Sequence, residues 1–206
     1  MANLNKFGVP LSGNTSAVLM PKLAYRFRVT FTGLGGTGTD TKALTREIIS
    51  VGRPQLTHDE IQIDVYNSRI FLAGKHTWEP IAIVMRDDIN SDVITLLNSQ
   101  VQNQVDHFEQ SAAVAGSQYK FGSIIETLDG TSNSSSGTTV LDKWSLSGCF
   151  VQNMQWGESN YATSEPVQLT MTVRFDNAEH FKGTTESTLK LQTIASTTFD
   201  ASTATA

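Results

Sequence analysis

From Val167 to Phe175 apolar and polar residues alternate without a break. Val167, Leu169, Met171, Val173 and Phe175 fall on one side; Gln168, Thr170, Thr172 and Arg174 fall on the other. Successive strand side chains point to opposite faces, so this segment predicts an antiparallel strand with one face in a core and one wet. The same pattern predicts a strand at Leu23–Thr32, where Leu23, Tyr25, Phe27, Val29 and Phe31 alternate with polar or small residues. Further strands are expected around 61–65, 76–86, 120–128 and 143–150, with Pro80 marking an edge or bulge. Residues 43–51 read as another extended segment, and Asn67 to Gly74 as a turn-rich link. One segment has a different period. Val93, Leu97, Val101 and Val105 recur every four residues, with Ile94 and Phe108 beside them, which predicts an amphipathic helix over about 91–108. Asn90 or Ser91 is the expected cap. The fold class is therefore mainly β: an antiparallel β-sandwich or barrel with one flanking α-helix.

The flanks differ in texture. Residues 1–20 are an irregular arm punctuated by Gly8, Pro10 and Gly13. Residues 129–139 hold small polar residues and glycine, a long loop by composition, and residues 182–206 form a Ser/Thr-rich extension. The β domain lies between, at 21–181.

Composition narrows the function classes. The chain has 206 residues, 39% of them hydrophobic, and a net charge of −5, with no lysine- or arginine-rich run. Binding nucleic acid by neutralising phosphates is disfavoured. Cys149 is the only cysteine, so no internal disulfide forms, and its strand setting predicts a buried structural thiol and folding in a reducing compartment. The longest apolar run, Ile81 to Met85, is far too short to span a membrane as a helix. The apolar stretch Ala17–Met20 stops at Pro21 and does not make a secretory leader.

Candidate chemistry is sparse. Gly33, Gly35 and Gly38 match a dinucleotide-binding fingerprint, but the strand before them alternates with arginines and no helix start follows, so a flexible loop is expected. The four histidines have no metal-binding spacing, and His58 and His180 read as solvated turn residues. Asp87 and Asp88 have no third ligand nearby and read as turn and cap residues. No catalytic residue, metal ligand or cofactor is expected. Trp78, Trp144, Trp156, Tyr66 and Tyr161 leave open a soluble carbohydrate-binding β-sandwich. Thr45-Arg46-Glu47-Ile48-Ile49 mixes charge with apolar anchors, and Arg46, Glu47 and Ile48 are candidates for contact with a partner.

The order of these elements resembles that of the tail tube proteins of contractile-tailed, myovirus-type bacteriophages. The likeness runs over about residues 20–180. It is carried by Met20–Val29, Ser50-Val51-Gly52-Arg53-Pro54, Lys143–Val151, Gly157–Tyr161 and Val173–Ala178. The resemblance implies a virion structural protein, assembled in the host bacterial cytoplasm, whose homohexameric rings stack into the inner tube and whose sheets join between subunits around a channel. Its implied partners are further copies, the tail sheath, the baseplate and the terminator, with DNA passing through the lumen unbound. On this reading Gln62, Asp64, Ser145, Ser147, Gln168, Thr170 and Thr172 line the channel, and Arg46, Glu47 and Ile48 meet the next ring. A tube initiator and the tube subunit of a bacteriocin or type VI secretion system are the alternatives within the same class.

Overall fold

The computed structural model describes residues 21–36, 40–130, 139–162 and 164–183. The expected arm at 1–20, nearly all of the 129–139 loop and all but the first two residues of the C-terminal extension lie outside them. Eleven strands and two α-helices follow one another among the described residues: β1 Phe27–Thr32, α1 Lys42–Glu47, β2 Ile48–Val51, β3 Leu56–Val65, β4 Ser68–Trp78, β5 Ile81–Arg86, α2 Asp92–Gln104, β6 Val105–Asp106, β7 Ser111–Ala112, β8 Phe121–Leu128, β9 Val140–Gln155, β10 Gln168–Arg174 and β11 Asn177–Lys182.

Seven strands make one antiparallel sheet in the order β1-β8-β9-β10-β5-β2, with β11 also paired to β9. The 16-residue β9 is its spine. Its first half pairs with β8 and β11; its second half pairs with β10. The sheet bends where β10 gives way to β11, beside Gly148. That glycine has φ +67°, and a Cβ on it would lie 2.1 Å from the Asp176 carboxylate, so only glycine fits the bend. Asp176 ties the corner through its backbone N–H to Ser147 and its side chain to Lys120.

The inward faces make one core. Val29 and Phe31 of β1, Ile81, Ile83 and Met85 of β5, Leu146, Cys149 and Val151 of β9 and Leu169, Met171 and Val173 of β10 are all buried. Burying each such side chain contributes about 1.5–3 kcal/mol. Helix α2 adds Val93 and Leu97, and α1 adds Leu44. Two glutamines fasten α2. Gln100, fully buried, accepts from the Gly35 N–H at 2.9 Å and donates to the Tyr119 carbonyl at 2.6 Å. Gln104 donates to the Val151 carbonyl and accepts from the Val151 N–H, standing in for a neighbouring strand on the open side of β9.

The mainly β, antiparallel reading holds, and α2 starts where expected. Several local expectations change. Residues 43–51 are not all extended: α1 precedes β2, because Lys42-Ala43-Leu44-Thr45-Arg46-Glu47 is a good helix sequence and one turn drops Leu44 into the core. Helix α2 stops at Gln104 rather than 108. The Asp106 carboxylate accepts the Phe108 and Glu109 N–H groups and turns the chain, leaving Phe108 93% exposed. Ser91 sits at φ +57° and its side chain does not cap; the Asp88 carboxylate accepts the Asp92 N–H instead. The first strand begins at Phe27, since Leu23 and Arg26 close a turn. The expected link at 67–74 is largely the strand β4, and the strand expected over 76–86 is broken between Trp78 and Ile81, around Pro80.

Outside the sheet, β3 and β4 form a long hairpin joined by a two-residue turn, Tyr66–Asn67, with Tyr66 at φ +47°. All ten residues of β3 are exposed.

Candidate assembly surfaces

Among the described residues no three histidines, cysteines or carboxylates gather into a metal-binding group. Cys149 is fully buried, and that burial pushes its thiol up to about 12, so it stays protonated and inert near neutral pH. The glycine loop turns with Gly33, Gly35 and Gly36 at positive φ; among the described residues no α-helix opens before Lys42, and Gly38 lies outside them. His58 and His180 lie in strands β3 and β11 rather than turns. The aromatics do not make one platform. Trp78 packs on Phe175 with ring centroids 5.7 Å apart, and Trp144 stacks on His180 at 4.4 Å, while Tyr66 and Tyr161 stand fully exposed.

The sheet's outer face holds five of the seven residues expected to line a channel. On its β9–β10–β5 part, Gln168 faces Arg86, Thr170 faces Val84 and Gln155, and Thr172 faces Ala82 and Asn153. Ser145 and Ser147 lie across the Gly148 bend, opposite Glu179 and Asn177. Arg86 and Arg174 share the Thr170 face, so this surface is polar but not free of charge. The inward neighbours Leu169, Met171 and Val173 are fully buried, as the alternation requires.

Gln62 and Asp64 are elsewhere. They lie on the hairpin, where Gln62 donates to Asp64 at 2.9 Å and Arg69 pairs with Asp64 at 3.2 Å. The expectation that their opposite face enters a core fails. Ile61 faces Leu72 and Ile63 faces Ile70 across the hairpin, and these residues with Val65 are 43–51% exposed. An apolar face five residues strong therefore meets solvent. The sequence carried its signal, Ile-Gln-Ile-Asp-Val followed after a short turn by Ser-Arg-Ile-Phe-Leu, but the second half reads as a link unless the turn is recognised.

Arg46, Glu47 and Ile48 sit where α1 meets β2. Glu47 pairs with Arg46 at 3.1 Å and lies 3.6 Å from Arg86, and Ile48 packs against this domain's own core.

A second apolar surface, unfilled among the described residues, lies between the sheet's two ends. Among the described residues, strands β1 and β2 are each bonded on one side only. Between them is a cleft of about 390 Å³ lined by Phe27, Ile49, Val51, Arg53, Ile125 and Trp144. Arg53 reaches the Thr127 hydroxyl at 3.4 Å. Nearby, Asp142 is buried, pairs with Lys22 and lies 3.9 Å from His180. Burial pushes the Asp142 carboxyl up, but the Lys22 ammonium, the Thr127 hydroxyl and Arg53 together hold it below the usual carboxylate value.

No protein-family model matches this chain, and no curated protein sequence matches it. Solved structures do. The chain is similar to one in the anti-feeding prophage baseplate, with a TM-score of 0.58 and 14% identity over 80% of this chain and 97% of that one. It is similar to a chain of the anti-feeding prophage tube-terminating cap, with a TM-score of 0.58 and 16% identity over 84% and 99%. It is also similar to a chain of the sheath–tube complex of an extracellular contractile injection system, with a TM-score of 0.55 and 18% identity over 83% and 99%. The fold is thus one found among components of contractile injection machines.

Proposed function

We propose that this chain is a structural subunit of the inner tube of a contractile, phage-tail-like particle, in which rings of six copies stack around a channel. The observation that carries the reading is the β3–β4 hairpin: five apolar residues held in solvent on a fold shared with contractile injection machines. A soluble monomer gains nothing from such a face, whereas an assembling subunit buries it against its neighbour. The edges of β1 and β2, unpaired among the described residues, fit the same reading, because joining sheets between copies removes unpaired edges. The outer face with Thr170 and Thr172 is the proposed channel wall, and the sheath, baseplate and terminator are the proposed partners.

A second reading keeps the class and changes the place. The similar chains include one from a tube-terminating cap and one from a baseplate, so a component at the end of the tube is supported as well as the repeated subunit.

Negative-stain microscopy of the purified chain tests the proposal. Rings or stacked tubes are expected at high protein concentration, and a monomer at every concentration would overturn it. Quantifying the chain per particle separates the repeated subunit, with many copies, from an end component with a single ring.

A further inference from the structure

We propose that His58 and His76 form a two-imidazole site for a divalent transition-metal ion, a staple across the root of the β3–β4 hairpin. Strand register makes the pair, so no sequence spacing announces it. His58 lies directly opposite His76, and their ring centroids stand 6.0 Å apart with the planes tilted by 57°. A zinc ion sits about 2.0–2.1 Å from each ligating nitrogen, and the nitrogen about 1.2 Å from its ring centre. Two rings sharing one ion at the tetrahedral angle therefore have centroids about 5.2 Å apart. The observed pair is within about 1 Å of that pose, a gap that small side-chain rotations close. Among the described residues neither imidazole is taken up by a hydrogen bond or an ion pair. Trp78 steadies one of the two ligands. It meets His76 edge-on with centroids 6.3 Å apart and itself packs on buried Phe175.

The donors select the ion. Imidazole nitrogen suits zinc, copper and nickel, whereas calcium and magnesium take oxygen. Two ligands are half the set of a four-coordinate structural zinc site, and water fills the other positions, so a dissociation constant on the order of 10 μM is expected. Position gives the ion its effect. The β3–β4 ladder slips between His58 and Glu60. There Gly74 approaches Asp59 so closely that a Cβ on it would lie 2.9 Å from the Asp59 carbonyl oxygen. Such an irregularity leaves backbone pairing interrupted and lets a ribbon bend. His58 and His76 flank it on the side toward Trp78. An ion held between them ties the strands together where the ladder is weakest and stiffens the hairpin at its root.

Calorimetric titration of the untagged full chain with Zn²⁺, and separately with Ca²⁺, tests the site. One zinc per chain is expected, and no calcium. Both histidines are exposed, so His58→Ala and His76→Ala leave the core untouched. Each is expected to weaken zinc binding by about tenfold or more, while His107→Ala and His180→Ala leave it unchanged. Zinc affinity that survives in both hairpin variants would overturn the proposal. Substoichiometric Cu²⁺ gives an independent readout by NMR. It should broaden the ring signals of His58 and His76 and spare those of His107 and His180; equal broadening of all four would mean adventitious surface binding and would overturn the site. Hydrogen exchange tests the staple itself. Zinc should slow the β3 and β4 amides beside the slip, and EDTA should reverse the change. Tight binding with unchanged exchange would remove the stapling role. Binding is read on the single chain, so its failure leaves the tube proposal standing.

Discussion

Ile61-Gln62-Ile63-Asp64-Val65 and Leu169-Thr170-Met171-Thr172-Val173 are nearly the same sentence in the language of strand patterning, and they end in opposite places. In β10 the apolar residues are fully buried; in β3 they are 43–51% exposed. Strand β10 has β9 on one side, β5 on the other and a core beneath it. Among the described residues strand β3 pairs only with β4, and a two-stranded ribbon by itself has no further layer to cover its apolar face. Alternation therefore states that a face needs covering and leaves open who covers it. In β10 the chain covers itself. In β3 no described residue covers it, and the assembly proposal starts from that difference.

The largest effect belongs to the self-covered strand. Met171→Ala is expected to cost about 2–5 kcal/mol, read as a lower midpoint in guanidinium, because it opens a void in a fully buried layer. A cost below about 1 kcal/mol would mean that the β10 face is no better packed than the hairpin, and the contrast would collapse.

A buried polar group at the start of β9 is the next test. Asp142→Asn is expected to cost about 1–3 kcal/mol at pH 7, since it removes a buried charge held by Lys22. Its carboxyl sits lower in the folded chain than in the unfolded one. The stabilisation is therefore full above the unfolded value of about 3.9 and is lost as pH falls through the folded value. Urea titrations of wild type and variant should converge in strong acid. A gap that stays constant with pH would show that the site acts through shape rather than charge.

The hairpin prediction runs the other way. Ile63→Asp with Leu72→Asp is expected to change monomer stability by less than about 0.5 kcal/mol, because both side chains are half in water already. The same change should abolish rings and tubes by microscopy and sedimentation. A large loss of monomer stability would show that the face is covered within the chain after all.

The smallest effect on folding is expected on the outer face of β10. Thr170→Lys with Thr172→Lys leaves Leu169, Met171 and Val173 in place, so thermal melting should be unchanged. In a hexamer the pair adds roughly twelve cations per ring to the proposed channel, and passage of DNA should slow and become salt-dependent. Normal passage would move the channel to another face.

Much of this architecture was legible beforehand. The alternation at Leu169–Val173 and at Val29–Phe31 placed strands and their inward faces correctly. The four-residue stripe from Val93 to Val101 placed α2. Burial within a sheet leaves a local signature, because the side-chain period is two on a strand and near four on a helix. The strand setting of Cys149 likewise fitted the buried thiol. Local punctuation was less legible: Asp106 ended α2 early, Asp88 rather than Ser91 capped it, and Tyr66–Asn67 made a hairpin without the usual glycine. In each case one polar or turn residue outweighed a run of apolar ones.

What the tertiary structure alone decided is where each face points. Gln62 and Thr170 have the same local surroundings in sequence, yet one stands on a free ribbon and the other on the wall of a closed core. The bend at Gly148 set Ser145 and Ser147 apart from Thr170 and Thr172. The recess between β1 and β2 forms where the two ends of a seven-stranded sheet, among the described residues, approach without bonding. Pattern is a property of neighbours along the chain, and these features come from strands brought together across a hundred residues, as Phe27 and Thr127 are.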